Sequence, residues 1–171
     1  MKKILLLMLA GIGDSLLFTP TIRALRKHYP EAQITTLVRD KPVQAMLQRN
    51  KDVDIVLYYP FMKSGSFCSV LYCLRLRREH YDLSILAYPA NRYQHILISF
   101  LIGAKKRISH IYEIKKLTSL SFLHTHRIPI QYYHHTIDEN LYLLSFLDID
   151  LKKCSRKMVF FLTQREKAFA H

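Results

Sequence analysis

The residues best suited to chemistry lie in the stretch Gly11-Ile12-Gly13-Asp14-Ser15, between an apolar run and an amphipathic one. Two glycines let a ligand approach the backbone, and Asp14 supplies a carboxylate at the start of a helix. In a desolvated site such a carboxylate can take a proton from a hydroxyl group as a general base. An ordinary helix N-cap accounts for the same aspartate without any function. The sequence predicts a strand-to-helix turn and leaves both interpretations of Asp14 open.

Two familiar phosphate-binding turns do not match this stretch. The dinucleotide fingerprint needs a third small residue where the chain has Leu16. A P-loop needs a lysine followed by serine or threonine, which is missing here. A nicotinamide oxidoreductase is therefore disfavoured, and we expect no cofactor.

Strands alternating with helices must position the turn. The pattern of apolar and β-branched residues predicts strands over 3–9, 33–38, 54–59, 83–88 and 106–108. This alternation indicates an α/β fold built of βαβ units, with a parallel sheet and right-handed crossovers. Pro20 leaves two options, a kinked helix from Asp14 or a helix capped by Thr19.

Apolar residues at helical spacing predict which helix faces point inward. The four predicted inward faces are Phe18, Ile22, Leu25 and Tyr29; Phe67, Val70, Leu71 and Leu74; Tyr93, Ile96, Leu97, Phe100 and Leu101; and Ile137, Leu141, Leu144 and Leu147. Gly103 is expected to end the third of these helices.

Residues 1–150 are predicted to form one domain. The polar stretch 148–157 is the only plausible linker, so we assign 151–171 to a linker and the start of a further domain. A strand is predicted over 158–162, and Thr163 and Glu166 match a capping box that opens a new helix. We expect a chain truncated before a second domain.

The net charge of +13, from 26 Lys and Arg against 13 Asp and Glu, indicates a polyanionic partner: nucleic acid, phosphorylated lipid or a membrane surface. Nucleic acid is disfavoured because no helix-turn-helix, zinc or RNP pattern occurs. No apolar stretch approaches the roughly 20 residues of a membrane span. The nominated basic clusters are Arg75, Arg77 and Arg78, and Lys105, Lys106, Arg107, Lys115 and Lys116.

Cysteines and histidines give weak signals. Three cysteines at no metal-like spacing are expected to be reduced thiols of a cytoplasmic protein. Four histidines, His124, His126, His134 and His135, form the one ligand-like cluster, but cysteines and carboxylates are missing nearby in the sequence. We expect no metal site.

The chain resembles glycosyltransferase family 9, the lipopolysaccharide heptosyltransferases. The resemblance begins in the block from Gly11 to Leu25, which has Thr19-Pro20 at its centre, and continues through Pro30 to Val38. Later matches are Tyr81-Asp82-Leu83, Asn91-Arg92, Gly103 with Arg107-Ile108, and the helix over 134–147.

The resemblance implies the N-terminal, acceptor-binding half of a GT-B fold, a Rossmann-like parallel sheet with helices on both faces. It implies that Asp14 is the general base, and that Gly11, Gly13, Ser15, Asn91 and Arg92 bind the acceptor. Family members transfer heptose from ADP-heptose to the lipopolysaccharide core, with inversion and without a metal, at the cytoplasmic face of the inner membrane. The donor domain is missing, so we expect little or no activity from this chain alone.

A second class of function stays open at this stage. A non-catalytic basic module that binds anionic lipid or nucleic acid would also explain the charge of +13. Binding of lipopolysaccharide and of RNA separates the two.

Overall fold

The computed structural model describes residues 1–90, 92–112, 120–131 and 134–161. Within them six strands form a single sheet in the order β3-β2-β1-β4-β5-β6, with every neighbouring pair parallel. The strands are β1 (Lys3–Met8), β2 (Gln33–Val38), β3 (Ile55–Tyr58), β4 (Leu83–Leu86), β5 (Lys106–Ile111) and β6 (His126–Pro129). The five strands predicted between residues 3 and 108 are confirmed within three residues at each end, whereas β6 was not predicted.

Helices cover both faces of this sheet, as predicted. They are α1 (Ile12–Leu17), α2 (Thr19–His28), α3 (Lys41–Leu47), α4 (Ser66–Arg77), α5 (Tyr93–Ile102) and α6 (Thr136–Tyr142), which continues as a 3₁₀ turn over Leu143–Leu147. Helices α2, α3 and α6 pack on one face and α4 and α5 on the other.

Strand β1 explains why the opening run is apolar throughout. Ile4, Leu6 and Met8 contribute to one core, and the alternate residues Leu5 and Leu7 to the other. A strand buried on both faces needs apolar residues at every position.

The chain reverses its direction across the sheet between β1 and β4. From β1 it proceeds outward to β2 and β3, then returns to place β4 on the other side of β1. In open α/β sheets ligands bind outside the carboxyl ends of the strands at this switch point. The turn after β1 and the loop after β4 lie there.

Pro20 separates α1 from α2. It lies at the second position of α2, and Phe18 is the N-cap. Because Pro20 has no N–H, the hydroxyl of Thr19 donates to the Leu16 carbonyl instead, at 2.7 Å. Each of the two predicted options is therefore right in part. A helix does precede the proline, and a second helix does begin at Thr19, but Thr19 is not the N-cap of that second helix.

The predicted inward face of α4 is wrong. Phe67, Val70, Leu71 and Leu74 are exposed, and the buried residues are Cys73 and Leu76. Helix α4 is apolar around most of its circumference, so spacing alone could not select the side that meets the sheet. The stripe on α5 is also rotated: Tyr93 and Phe100 are exposed, while Ile98 and Ile102 are buried with Ile96.

The last described residues pack back onto the domain. Ile149, Leu151 and Cys154 contact the core beside α2, so part of the predicted linker is anchored. Residues 158–161 form no strand, but the Val159 amide donates to Thr19 Oγ1 at 2.9 Å. The capping box at 163–166 lies outside the described residues. In the part of the chain that the structure describes, no helix is long and apolar enough to cross a membrane.

Candidate functional site

The turn after β1 presents the Asp14 carboxylate without a local role. Gly11 is the N-cap of α1, and Asp14 lies in the first turn of that helix, so the N-cap interpretation of Asp14 is wrong. The side chain is half-buried, and no hydrogen bond or ion pair joins it to the residues that the structure describes. A carboxylate placed in this way is available to a ligand.

The two glycines of this turn have open space where a side chain would stand. A Cβ atom built on Gly11 or Gly13 meets nothing within 4 Å, and neither residue has a positive φ. The fold itself therefore gives no steric reason for glycine here. Close approach by a ligand remains a reason that fits.

The other predicted acceptor residues are placed differently from one another. Ser15 is 2% exposed and its hydroxyl has no partner among the described residues, so it lies away from the open side of the turn. Asn91 lies outside the described residues. Arg92 is exposed at the N-cap of α5, directly after the loop that follows β4. Asp14 and Arg92 thus follow neighbouring strands at the switch point.

A cavity of about 270 Å³ opens between α4 and α5 and includes Arg92. Arg39, which follows β2, and His95 join Arg92 in lining it, and none of the described lining residues is acidic. Leu9 lines this cavity whereas Asp14 does not, so the cavity lies beside the turn that follows β1. The remaining lining residues are mostly apolar or hydroxyl-bearing: Phe61, Met62, Ser64, Ser66, Ser69, Val70, Cys73, Gln94, Leu97, Ile98 and Leu101.

The charges of Arg39 and Arg92 both act on His95, which lines this cavity. Burial is the largest cause and the positive charges of Arg39 and Arg92 add to it, and together they lower the pKa of His95 to about 4. His95 is therefore neutral at pH 7. Asp40 accepts a hydrogen bond from Nε of Arg39 at 3.1 Å, which leaves the outer nitrogens of that guanidinium for a ligand. The cavity suits a ligand with an anionic group and an apolar part.

Helix α6 and strand β5 hold the loop that leads to Arg92. The Tyr88 amide donates to Oδ1 of Asn140 at 2.9 Å, and the Ala90 amide donates to the Tyr112 hydroxyl at 2.6 Å. Both bonds restrain the backbone just before the α5 N-terminus. The spacing of apolar residues predicts this helix, but it does not mark Asn140 as a positioning residue.

A buried acid and base lie next to this support. Glu139 and His110 are each 2% exposed, with Oε2 and Nδ1 separated by 3.6 Å. Burial raises the pKa of Glu139 and lowers that of His110, because both charged forms lose water. The Gln131 amide donates to Oε1 of Glu139, which ties the β6–α6 connection to the helix.

The histidines have separate structural roles. His135 caps α6 by accepting from the Ile137 amide, and His124 is buried with its pKa lowered to about 4 by desolvation and by Arg107. His134 lies 3.6 Å from Glu139, so a carboxylate is in fact nearby. Among the described residues no group of three could hold a metal ion.

Several nominated basic residues are engaged within the fold. Arg107 donates to the carbonyls of Leu123 and Ala104, and Lys105 forms an ion pair with Asp82 at 2.8 Å. Arg77 lies against Gly103, the left-handed C-cap of α5. Lys115 and Lys116 lie outside the described residues. Arg75 and Arg78 remain exposed on α4 and its end.

The fold defines a class of protein. The parallel sheet with helices on both faces matches the Rossmann-like half of a GT-B fold. None of the known protein-family models matches the chain.

Its relatives are lipopolysaccharide heptosyltransferases. The chain is 26% identical over 142 residues to lipopolysaccharide heptosyltransferase 3 of Escherichia coli, covering 81% of this chain and 41% of that protein. For the same enzyme of strain K12 the identity is 28% over 141 residues, with coverages of 80% and 40%. The chain thus spans less than half the length of the curated relatives it matches. The resemblance that the sequence indicated is confirmed, for the N-terminal half.

Solved structures agree on the fold. A glycosyl transferase family 9 protein from Veillonella parvula DSM 2008 matches with a TM-score of 0.74 and 20% identity, covering 99% of this chain and 47% of that one. E. coli heptosyltransferase WaaC with ADP-2-deoxy-2-fluoro heptose matches with a TM-score of 0.72 and 13% identity, covering 91% and 51%.

Proposed function

We propose that this chain is the acceptor-binding half of an inverting glycosyltransferase of the heptosyltransferase type, with Asp14 as general base. The observation that supports it most is the unengaged Asp14 carboxylate at the switch point, with Arg92 following the neighbouring strand. Asp14 takes the proton of an acceptor hydroxyl while that oxygen bonds to the anomeric carbon of the donor sugar. The bond from that carbon to the nucleotide diphosphate breaks on the opposite face.

The acceptor in this proposal is a lipopolysaccharide core, which carries phosphates and acidic sugars. Arg39 and Arg92 would bind one such anionic group, since guanidinium matches the geometry of phosphate and carboxylate. Gly11 and Gly13 would admit the sugar to Asp14, and Asn91 would add a polar contact from the same loop as Arg92.

The donor in this proposal is ADP-heptose, held by a further domain. Because the chain spans 41% of a matched relative, we expect it to bind acceptor but transfer little sugar without that domain. We place the reaction at the cytoplasmic face of the inner membrane, with peripheral contact between the chain and anionic lipid.

The test is transfer by a two-domain form, in which this chain is joined to the donor half of E. coli heptosyltransferase 3. ADP release from ADP-heptose is measured with heptose-deficient lipopolysaccharide as acceptor. We expect Asp14→Asn to lower kcat by about 10²–10⁴-fold, the usual contribution of a general base. Glu31→Gln, at an exposed carboxylate on the α2–β2 connection, should leave kcat unchanged.

Two outcomes contradict the proposal. Near-normal turnover of Asp14→Asn with unchanged circular dichroism would remove Asp14 from the chemistry. Tight binding of RNA by the chain across a salt series, together with no binding of lipopolysaccharide, would favour the basic-module alternative.

A further inference from the structure

Helix α4 presents an apolar outer face to solvent. Phe67, Leu71 and Leu74 follow one another at spacings of four and three and are 75%, 50% and 41% exposed. Val70 and, just before the helix, Met62 extend the strip. Large apolar side chains gathered on one exposed helix face are unusual for a solvated surface and indicate a partner.

The opposite side of α4 is already packed against the rest of the domain. Cys73 and Leu76 are buried against α5 and the sheet, and Tyr72 stacks on Tyr59. The burial that holds α4 in place does not involve Phe67 or Leu71. The outer face is therefore free to contact a second surface without unfolding the helix.

The charges on α4 and on the loop that precedes it all have one sign. The sequence holds no Asp or Glu between Asp54 and Glu79. Lys63 precedes the helix, and Arg75 and Arg78 lie at its end, all three exposed and without an ion pair to a carboxylate of the described residues. An apolar strip flanked by cations matches a membrane surface that carries anionic lipid.

We propose that α4 is a membrane-docking helix, with Phe67 and Leu71 in the lipid interface and Arg75 and Arg78 on lipid phosphates. A second copy of the chain fits less well, because it would bring together two basic faces of a protein with net charge +13. Met62 and Val70 also line the cavity that holds Arg39 and Arg92. A lipid-borne ligand would then reach those arginines from the bilayer surface.

This inference extends the membrane contact in the proposed function, yet its test involves neither Asp14 nor a donor. The chain is sedimented with phosphatidylglycerol–phosphatidylcholine vesicles and with pure phosphatidylcholine vesicles. We expect Phe67→Ser with Leu71→Ser to weaken binding to the anionic vesicles by about tenfold or more. The matched control is Phe122→Ser, which removes a 69% exposed phenylalanine elsewhere on the surface.

Two further variants test the charge and the depth of contact. Arg75→Gln with Arg78→Gln should weaken binding about tenfold at low salt and much less at high salt. The chain has no tryptophan, so Phe67→Trp provides a single reporter whose emission should shift to the blue on anionic vesicles.

The proposal is overturned if the serine double variant binds vesicles as the parent does, or if the tryptophan emission does not move. It is also overturned if sedimentation equilibrium without lipid shows a dimer that the double variant loses, since a second copy would then occupy the face. Asp14→Asn should bind vesicles normally, which separates this result from the transfer experiment.

Discussion

Gly13 shows how the turn after β1 differs from an ordinary helix start. It lies inside α1, is exposed, and has room for a methyl group. Since alanine is the better helix residue, we expect Gly13→Ala to raise the free energy of unfolding by roughly 0.5–1 kcal/mol, measured by urea denaturation.

The same Gly13→Ala variant should bind the lipopolysaccharide acceptor several-fold more weakly if a ligand uses the open space, because the methyl group would fill it. Greater stability together with weaker binding is the expected pair of results. Unchanged binding would mean that the acceptor does not approach the backbone at this residue.

Some site residues could be predicted from the sequence because they follow strands. Asp14 comes directly after the β1 turn, and Arg92 opens the helix after β4, so strand prediction alone carries both to the ligand edge. Arg39 and His95 come together only through the order of the strands, which spacing does not reveal. The burial of Ser15 could not be predicted, because the rotation of a short helix decides whether a residue one position from Asp14 faces the open side or the core.

Asp82 connects elements at the amino-terminal edge of the sheet, which is the edge opposite the turn after β1. Its carboxylate accepts from the amides of Lys2 and Lys3 and pairs with Lys105. These hydrogen bonds, led by that from Lys105, hold the pKa of Asp82 well below its usual range. The Tyr81-Asp82-Leu83 match to the family therefore has a structural explanation.

The Asp82 carboxylate should make stability depend on pH in a defined way. The folded pKa of Asp82 is lowered, so its contribution is present above about pH 4 and is lost as pH falls toward the folded value. We expect Asp82→Asn to cost about 1 kcal/mol at pH 7 and less at pH 3, measured by urea denaturation at both values. An equal cost at both pH values, or a cost as small as that of the control Glu31→Gln, would contradict this.

Helix α4 shows that a sequence pattern can predict an element without predicting which side of it is buried. Its apolar residues surround it, so the sequence predicts a helix correctly and its orientation wrongly. Cys73 and Leu76 are buried against the rest of the domain, and Phe67, Leu71 and Leu74 are left outside. Strand β6 was missed because its four residues carry no alternating pattern.

The three-layered fold of the whole molecule, a sheet between two layers of helices, follows from the sequence more directly than any contact within it. A first strand that is apolar at every position requires cover on both faces, and five regular alternations of strand and helix supply it. The strand order depends on tertiary packing, which no local pattern encodes. The same is true of the return of residues 155–161 to Thr19 at the start of α2.

Thr19 connects that last segment to the helix break, across 140 positions of sequence. Its buried hydroxyl donates to Leu16 O and accepts from the Val159 amide, so Thr19→Val leaves two buried groups unpaired. We expect a loss of about 2 kcal/mol in urea denaturation and faster proteolysis within residues 155–161. Thr21→Val is the matched control, because the Thr21 hydroxyl is equally buried but has no partner among the described residues, and its loss should be neutral or stabilising. Equal losses for the two variants would show that the 155–161 segment does not depend on Thr19.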